Sequence, residues 1–561
     1  MPVAVRPLRF VHRGKIVEIV DLDPNLTVLN YLRAAPPLGA GSIGTKEGCA
    51  SGDCGACAVV VAELESTDST VPQPPKLRFR AINSCIRSLS SLETCALWTC
   101  EDIAPDAAAQ LLHPVQQAMV DMHASQCGFC TPGFVMSLFA LYSQRAADHA
   151  ANHAADYSEA SPASGVRDPA AAAVALAAVE PLDRDAVLHA LSGNLCRCTG
   201  YRPIVAAGLR ACAQTLGEHV PVWVATQRQQ TVQLLKSITP AKGGRLVAGR
   251  GSLRATSYRP RTLTELLALR AAHPDAQLIA GSTDVGVWQN KLHKRYEKTI
   301  DVTSVDELRR VRHDQHALTI GAAARLTEAF AAMVELWPSL RVFTERFAGL
   351  TIRNSATMGG NIANGSPIGD SMPLLIALGA QLRLLSADSE RLLAIEEFFV
   401  GFRKTALASN EIIGDIVIPK PQGRHFVRAY KVSKRFEDDI STVSLAIALE
   451  FGGNDATESG QGRSVGIVKS VRIGAGGVAT IPASARQTES VLVGQPWSLA
   501  AVTKAATILR DEFTPIDDLR GSAAYRRQVL GNLLLRCWHE SQGHPLSLDT
   551  MQPSQIMALF P

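Results

Sequence analysis

Gly48-Cys49-Ala50-Ser51-Gly52-Asp53-Cys54-Gly55-Ala56-Cys57 places three cysteines within nine residues, and a fourth, Cys85, follows after a gap of 27. Intervals of four, two and 27 residues describe a loop that wraps one [2Fe–2S] centre in four thiolates, the plant-type ferredoxin spacing. Glycines at 44, 48, 52 and 55 are expected to let the backbone turn through left-handed conformations and aim its amides at bridging sulfides. Zinc also takes four thiolates, but its sites are usually built from two close pairs rather than one loop holding three ligands. Disulfides need an oxidising compartment. Met1 to Phe10 shows no charged start followed by an apolar core, so reduced thiols in a cytoplasmic setting are expected.

A second quartet lies in Gln126-Cys127-Gly128-Phe129-Cys130-Thr131-Pro132-Gly133 and Asn194-Leu195-Cys196-Arg197-Cys198-Thr199-Gly200-Tyr201. Thr131 reads as an N-cap with Pro132 in the first helical position, ahead of the apolar run Phe134 to Tyr142. Thr199 reads as the cap of a helix through Ile204 to Cys212. Two helix N-termini would then present amides to an anionic cluster. Zinc fits this quartet taken alone, but a ferredoxin-type quartet just upstream favours a second [2Fe–2S] centre, since two adjacent one-electron centres make a path. Cys95, Cys100, Cys212 and Cys537 have apolar neighbours and no ligand spacing, and read as buried thiols.

The chain has 561 residues and a net charge of +4. That length suggests roughly three to five domains, and the charge leaves no basic footprint for nucleic acid. No apolar run approaches the roughly 20 residues of a membrane helix. Leu8 to Val11 and Ile16 to Val20 read as strands about an Arg13-Gly14 turn, followed by a short helix from Val28 to Arg33, which suits a small β-grasp fold. The Ala-rich stretch from Arg145 to about Val179, with His149, His153, Ser158, Ser161, Pro162 and Ser164, reads as an inserted surface loop. Gln227 to Gly251 is polar and carries Pro240, Gly243, Gly244 and Gly249, as a linker would.

Beyond it, a helical run from Leu263 to Ala272 and an apolar strand from Gln277 to Ala280 open an α/β segment. The strand runs into Gly281-Ser282-Thr283-Asp284. Such an ending can cradle a phosphate on backbone amides, although an ordinary turn uses the same residues. A second glycine-rich stretch follows, Thr357-Met358-Gly359-Gly360-Asn361 and then Asn364-Gly365-Ser366-Pro367-Ile368-Gly369-Asp370. Neither has the GxGxxG spacing of a Rossmann nucleotide site.

Taken together, Gly48 to Cys57, Gln126 to Gly133, Asn194 to Tyr201 and the two glycine-rich stretches resemble the molybdenum hydroxylase family. Its iron–sulfur module joins a ferredoxin domain to a helical [2Fe–2S] domain, and its flavin domain has the vanillyl-alcohol-oxidase (PCMH-like) fold. One departure is the 65 residues between Cys130 and Cys196, about twice the family's interval. The resemblance implies an α+β multidomain chain. It would comprise a β-grasp ferredoxin domain (1–90), a helical domain (91–220, insertion about 145–180), a linker (221–252), an FAD domain (253–440) and a small C-terminal domain (441–561).

The resemblance also implies site residues. Cys49, Cys54, Cys57 and Cys85 would hold one cluster, and Cys127, Cys130, Cys196 and Cys198 the other. FAD would lie against Leu278, Ile279, Ala280, Gly281, Ser282, Thr283, Asp284 and Val285, and against Thr357, Met358, Gly359, Gly360 and Asn361, with Phe347, Asp370, Ile413 and Lys431 at further positions. Phe402 matches an aromatic near the flavin ring, and Lys434 to Asp439 a loop that affects nicotinamide access, although from charge alone that run reads as solvated.

No molybdopterin domain fits within this length, so a separate large subunit would carry the molybdenum cofactor and the substrate-oxidising residues, in a heterotetramer of two small and two large subunits. The implied reaction is purine oxidation, hypoxanthine and xanthine to urate, with electrons passing through both clusters and FAD to NAD+. Alternatives are the electron-transfer subunit of an aldehyde or carbon monoxide dehydrogenase and, from another class, a zinc-stapled interaction protein.

Overall fold

A computed structural model describes residues 5–36, 39–65, 76–104, 111–152, 182–214, 222–239, 243–247, 255–452 and 466–544. Contacts divide the chain into two compact units. One comprises 1–306, 325–327 and 348–356, the other 307–324, 328–347 and 357–561.

The first unit opens with strands β1 (Leu8–His12) and β2 (Lys15–Ile19), joined by Arg13 and Gly14, both at positive φ (52° and 67°). Two consecutive left-handed residues make the turn whose twist matches an antiparallel hairpin. Helix α1 (Val28–Arg33) starts where Thr27 Oγ1 accepts from Asn30 N at 3.2 Å. Strands β3 (Ala58–Leu64), β4 (Leu77–Asn83) and β5 (Ala96–Trp98) complete a five-stranded sheet in the order β2-β1-β5-β3-β4, with β1 and β5 parallel. Alternation along β3 divides its side chains between two cores. Val59 and Val61 face α1 with Leu8, Phe10 and Leu32, whereas Val60 and Ala62 pack with Trp98 against the helical part.

That helical part comprises α2 (Pro114–Asp121), α3 (Thr131–Asn152), α4 (Arg184–Leu191), α5 (Arg202–Gln214) and α6 (Val222–Ile238). Two sequence expectations are corrected here. The stretch read as a linker contains α6, because Val232, Leu235 and Ile238 recur at three-residue intervals and are buried against the helical core. The stretch read as an inserted loop begins inside α3, where Ala146 and Ala147 are buried. The remainder of that stretch, 153–179, lies outside the described residues.

After β6 (Gly244–Val247), the first unit closes with β7 (Thr256–Arg259), α7 (Leu263–Ala272), β8 (Gln277–Ile279), α8 (Thr283–Lys291) and β9 (Lys298–Asp301). The sheet order is β6-β7-β9-β8, with β7, β9 and β8 parallel, so α7 and α8 are crossover helices.

The second unit holds an antiparallel sheet of β10 (Val311–His313), β11 (Ala317–Gly321), β12 (Gln381–Leu385), β13 (Glu390–Ala394) and β16 (Ile412–Pro419), ordered β10-β11-β16-β12-β13. Short helices α9 (Met358–Ala363) and α10 (Ser371–Ala377) and a small hairpin, β14 (Phe399–Gly401) with β15 (Lys404–Thr405), accompany it. A last sheet, β17 (His425–Val432), β18 (Val443–Gly452), β19 (Ile467–Gly476) and β20 (Ala483–Ser484), packs Leu445, Ile447 and Ile473 against α11 (Arg486–Leu492), α12 (Leu499–Glu512) and α13 (Ala523–Ser541). Among the described residues, no helix is long and apolar enough to cross a membrane.

Candidate functional site: two thiolate quartets and two glycine-rich turns

The first quartet occupies the loop before β3 and the turn after β4. Gly52 (φ 87°), Gly55 (φ 70°) and Ala50 (φ 53°) take left-handed angles, but Gly44 and Gly48 do not, contrary to expectation. A side chain at either would instead crowd a neighbouring side chain. A Cβ at Gly48 would lie 2.8 Å from Cys54 Sγ, and one at Gly44 would lie 2.6 Å from Glu101 Oε1. The amides of Ser51 and Cys54 approach Cys49 Sγ at 3.5 and 3.4 Å. Contact with the Cys54 thiol, together with these donors, holds the Cys49 thiol down to about 4. Around the loop, Ser84 Oγ donates to the Cys57 carbonyl at 2.6 Å, and Asn83 Nδ2 donates to the Gly52 carbonyl.

Thiol contacts run in pairs, Cys49 with Cys54 and Cys57 with Cys85. The second quartet repeats this, Cys127 with Cys198 and Cys130 with Cys196. Two pairs suit two irons, each taking two protein sulfurs besides the bridging sulfides. Zinc would draw all four thiolates about one ion. The donor sets therefore fit [2Fe–2S] clusters.

The helix starts at the second quartet differ from expectation by one or two residues. Phe134 N donates to the Cys130 carbonyl at 3.2 Å, so the cysteine itself stands at the cap, and the Thr131 hydroxyl meets Ser125 Oγ at 2.7 Å. Likewise Tyr201, at φ 66°, takes the cap of α5 by accepting from Val205 N at 3.0 Å, while Thr199 Oγ1 accepts from Tyr201 N at 3.1 Å. The Tyr201 hydroxyl accepts from Cys196 N at 3.0 Å. Cys127 and Cys198 are exposed. The N–H of Phe129 and the Cys198 thiol hold the Cys127 thiol below its ordinary range.

The two quartets touch through backbone. Leu195 N donates to the Cys54 carbonyl at 3.0 Å, and a Cβ on Gly133 would lie 2.2 Å from the Gly55 carbonyl oxygen. Sequence reasoning picked out the cysteines but not what braces them, namely Asn83, Ser84, Asn194 (Nδ2 to Ser137 Oγ, 2.7 Å) and the segment 348–356. In that segment Leu350 N donates to Ser192 O at 3.2 Å, Gly349 and Gly193 meet backbone to backbone, and Asn354 Nδ2 reaches the Ala81 carbonyl at 3.0 Å. The Gly-Gly meeting is the one feature a sequence could have signalled.

The glycine-rich stretches fall in different units. In the first, Leu278 and Ile279 end β8, Ala280 to Ser282 form the turn, and Thr283, Asp284 and Val285 open α8. Gly281 (φ 85°) and Ser282 (φ 68°) are both left-handed, and a Cβ on Gly281 would lie 1.8 Å from Ser355 O. The hydroxyls of Ser282 and Ser355 are buried with no hydrogen-bond partner among the described residues, and Ser282 makes no side-chain cap. Two orphan hydroxyls beside a helix N-terminus fit a phosphate-bearing group.

In the second unit, Thr357 Oγ1 caps α9 by accepting from Gly360 N at 3.1 Å. Gly359 N donates to Ala322 O, and Ala322 N to Gly414 O, both at 2.9 Å, which brings Met358, Gly359 and Gly360 beside Ile413. Asn361 Oδ1 accepts from Ser371 Oγ at 2.5 Å. Next to Ser371, the Asp370 carboxylate accepts from Lys431 Nζ at 2.8 Å and from Ser441 Oγ at 2.5 Å, and all three residues are buried. Lys431 Nζ also donates to Arg346 O at 3.1 Å, next to Phe347, whose ring packs 5.3 Å from Phe330. Hydrogen bonds and neighbouring positions thus link Thr357 to Asn361, Asp370, Lys431 and Phe347 within this unit. Phe402 stands exposed at the β14–β15 hairpin tip, and Phe436, in the charged run, carries the Arg346 guanidinium 4.5 Å over its ring.

The leftover cysteines are not ligand-like. Burial pushes the thiols of Cys100 and Cys537 up to about 12 and Cys212 up to about 11, and raises Cys95 further.

Three family models match in succession: the [2Fe-2S] binding domain over 99–209, the FAD binding domain in molybdopterin dehydrogenase over 251–421, and the CO dehydrogenase flavoprotein C-terminal domain over 428–541. The chain belongs to the molybdenum hydroxylase family. Its matched segments are iron–sulfur and flavin-binding domains of that family. Curated relatives include xanthine dehydrogenase of Drosophila pseudoobscura pseudoobscura, 32% identical over 95% of this chain and 39% of the relative, and xanthine dehydrogenase 1 of Arabidopsis thaliana, 29% identical over 96% and 40%. The chain thus spans about two fifths of the length of these relatives. Among solved structures, a reconstituted CO dehydrogenase from Oligotropha carboxidovorans matches with a TM-score of 0.47 and 26% identity, covering 52% of this chain and 99% of that one.

Proposed function

We propose that this chain is the iron–sulfur and flavin subunit of a cytoplasmic xanthine dehydrogenase. A separate molybdopterin subunit would oxidise hypoxanthine and xanthine to urate, in an assembly of two small and two large subunits, and NAD+ would be the final acceptor. The purine assignment draws support from the names of relatives aligned along nearly the whole chain. The relay assignment rests on one observation, the backbone hydrogen bond from Leu195, next to Cys196, to the carbonyl of Cys54.

Bound in the two quartets and the cradle, [2Fe–2S] clusters would carry single electrons and FAD would exchange them in pairs with NAD+. Cys49, Cys54, Cys57 and Cys85 would hold the first cluster, and Cys127, Cys130, Cys196 and Cys198 the second. The amides of Ser51 and Cys54 donate toward Cys49 sulfur, which favours the more negative reduced state. Ser282 and the first amides of α8 would receive the FAD pyrophosphate. Thr357 to Asn361 would align its chain, and the Asp370–Lys431 pair would fix the polar wall beside Phe347.

The experiment is to quantify iron, zinc and flavin on purified chain, record its electron paramagnetic resonance spectrum, and assay the complex it captures. Two [2Fe–2S] signals, one FAD and xanthine-dependent NAD+ reduction are expected. Turnover of aldehydes or carbon monoxide instead of purines would overturn the substrate assignment, and zinc without flavin would overturn the relay.

A further inference from the structure

Gly286 and Asn290 lie four residues apart on α8 and therefore share one face. A Cβ at Gly286 would lie 2.2 Å from the carbonyl oxygen of Ile86, so the helix backbone rests against the residue that follows Cys85. One turn further, the Asn290 side-chain amide donates twice, to the Ala50 carbonyl at 3.0 Å and to the Cys85 carbonyl at 2.8 Å. Ala50 adjoins Cys49 and is held at φ 53°, and Cys85 ends the quartet from the far side of β3 and β4. A single amide with both hydrogens engaged thus ties together two backbone segments that reach the first quartet from opposite directions. The helix that carries it begins at the Gly281–Ser282 turn of the flavin cradle. Neither acceptor lies on α8, so the two bonds serve the joint between modules rather than the helix.

We propose that Asn290 is a positioning residue for electron transfer between the first cluster and the flavin, a role that rests on the first quartet holding a [2Fe–2S] centre. Donation to the carbonyl of a ligating cysteine withdraws electron density from that ligand and so favours the reduced cluster. The same two bonds fix the ligand loop to the helix that leads to the cradle. An apolar residue of similar size would keep the packing and lose both effects.

The test uses the full chain with its clusters and flavin, comparing wild type, Asn290→Leu and Asn290→Gln. Each is titrated redox-potentiometrically with electron paramagnetic resonance detection, its flavin reduction is timed after flash reduction of the clusters, and its thermal unfolding is recorded. Asn290→Leu is expected to lower the potential of the first centre, leave the second unmoved, and slow flavin reduction by about tenfold or more, the usual loss when a ligand's hydrogen-bond partner is removed. Asn290→Gln, which keeps both donors, is expected to recover part of each effect. Should the leucine variant fail to accumulate, Asn290→Asp replaces the donors with acceptors at constant shape and is expected to lower the potential further. An unmoved potential and rate, or lost thermal stability alone, would overturn the role. A wild-type chain lacking the ferredoxin-type signal would instead overturn the reading of the quartet itself, and this inference with it.

Discussion

His113 should make the helical part of this chain sensitive to mild acid. Its ring is buried among Phe139, Tyr142 and Trp223, with centroids 5.0, 4.8 and 5.8 Å away, and its Nδ1 accepts from Val115 N at 3.2 Å to cap α2. Protonation at that nitrogen would abolish the cap, and burial holds the imidazole down to about 3. In the unfolded chain the same ring titrates near 6.5. The native state therefore binds the proton less readily, so the stabilisation is fully present above pH 6.5 and is lost as pH falls from there toward 3. Between pH 7 and pH 5 the expected loss is about 2 kcal/mol. Thermal unfolding of wild type and His113→Asn at both pH values measures it, because asparagine caps a helix without titrating. His189, which burial holds down to about 4, contributes equally to both proteins and cancels. The variant should start less stable at pH 7, having lost aromatic packing, and should decline less on acidification. Parallel declines in the two proteins would refute the reasoning.

Three further outcomes are expected. Asp370→Ala leaves Lys431 charged and buried, and should cost about 3–5 kcal/mol in denaturant unfolding, whereas Asp370→Leu with Lys431→Met should recover most of it; equal costs for the single and double variants would count against a coupled pair. Gly281→Ala, with its Cβ 1.8 Å from Ser355 O, should abolish bound flavin, read by extraction, while sparing both iron–sulfur signals in electron paramagnetic resonance. Cys49→Ser and Cys127→Ser should each remove one iron–sulfur signal and leave FAD bound, read by electron paramagnetic resonance and flavin extraction; loss of all three groups together would argue against separate sites.

Much of the architecture was legible because it is local. The Arg13-Gly14 hairpin, the helices over Val28–Arg33 and Leu263–Ala272 and the cysteine intervals are patterns within a few residues. Helix α6 was missed because glutamines on its outer face and the glycines beyond it resemble a linker, and only Val232, Leu235 and Ile238 betray the buried stripe. The caps of α3 and α5 fell on Cys130 and Tyr201 rather than on the threonines nearby because the ligand loops must turn before the helix can begin. Apart from the Gly193–Gly349 meeting, the braces were not legible. Asn354 meets Ala81, and Asn290 meets Cys85, across more than 200 residues, and such pairings leave no periodicity to read.

The segment 348–356 follows one proposed flavin position, Phe347, and precedes another, Thr357, yet its contacts belong with the iron–sulfur modules. Cutting the chain after Ile238 would leave two pieces that must find each other in solution. A fit now guaranteed by tethering would then depend on concentration, since a connected segment meets its seat at an effective concentration of order millimolar. Fusion in one polypeptide thus acts here as an assembly device, keeping the flavin segment seated on the iron–sulfur loops at any dilution.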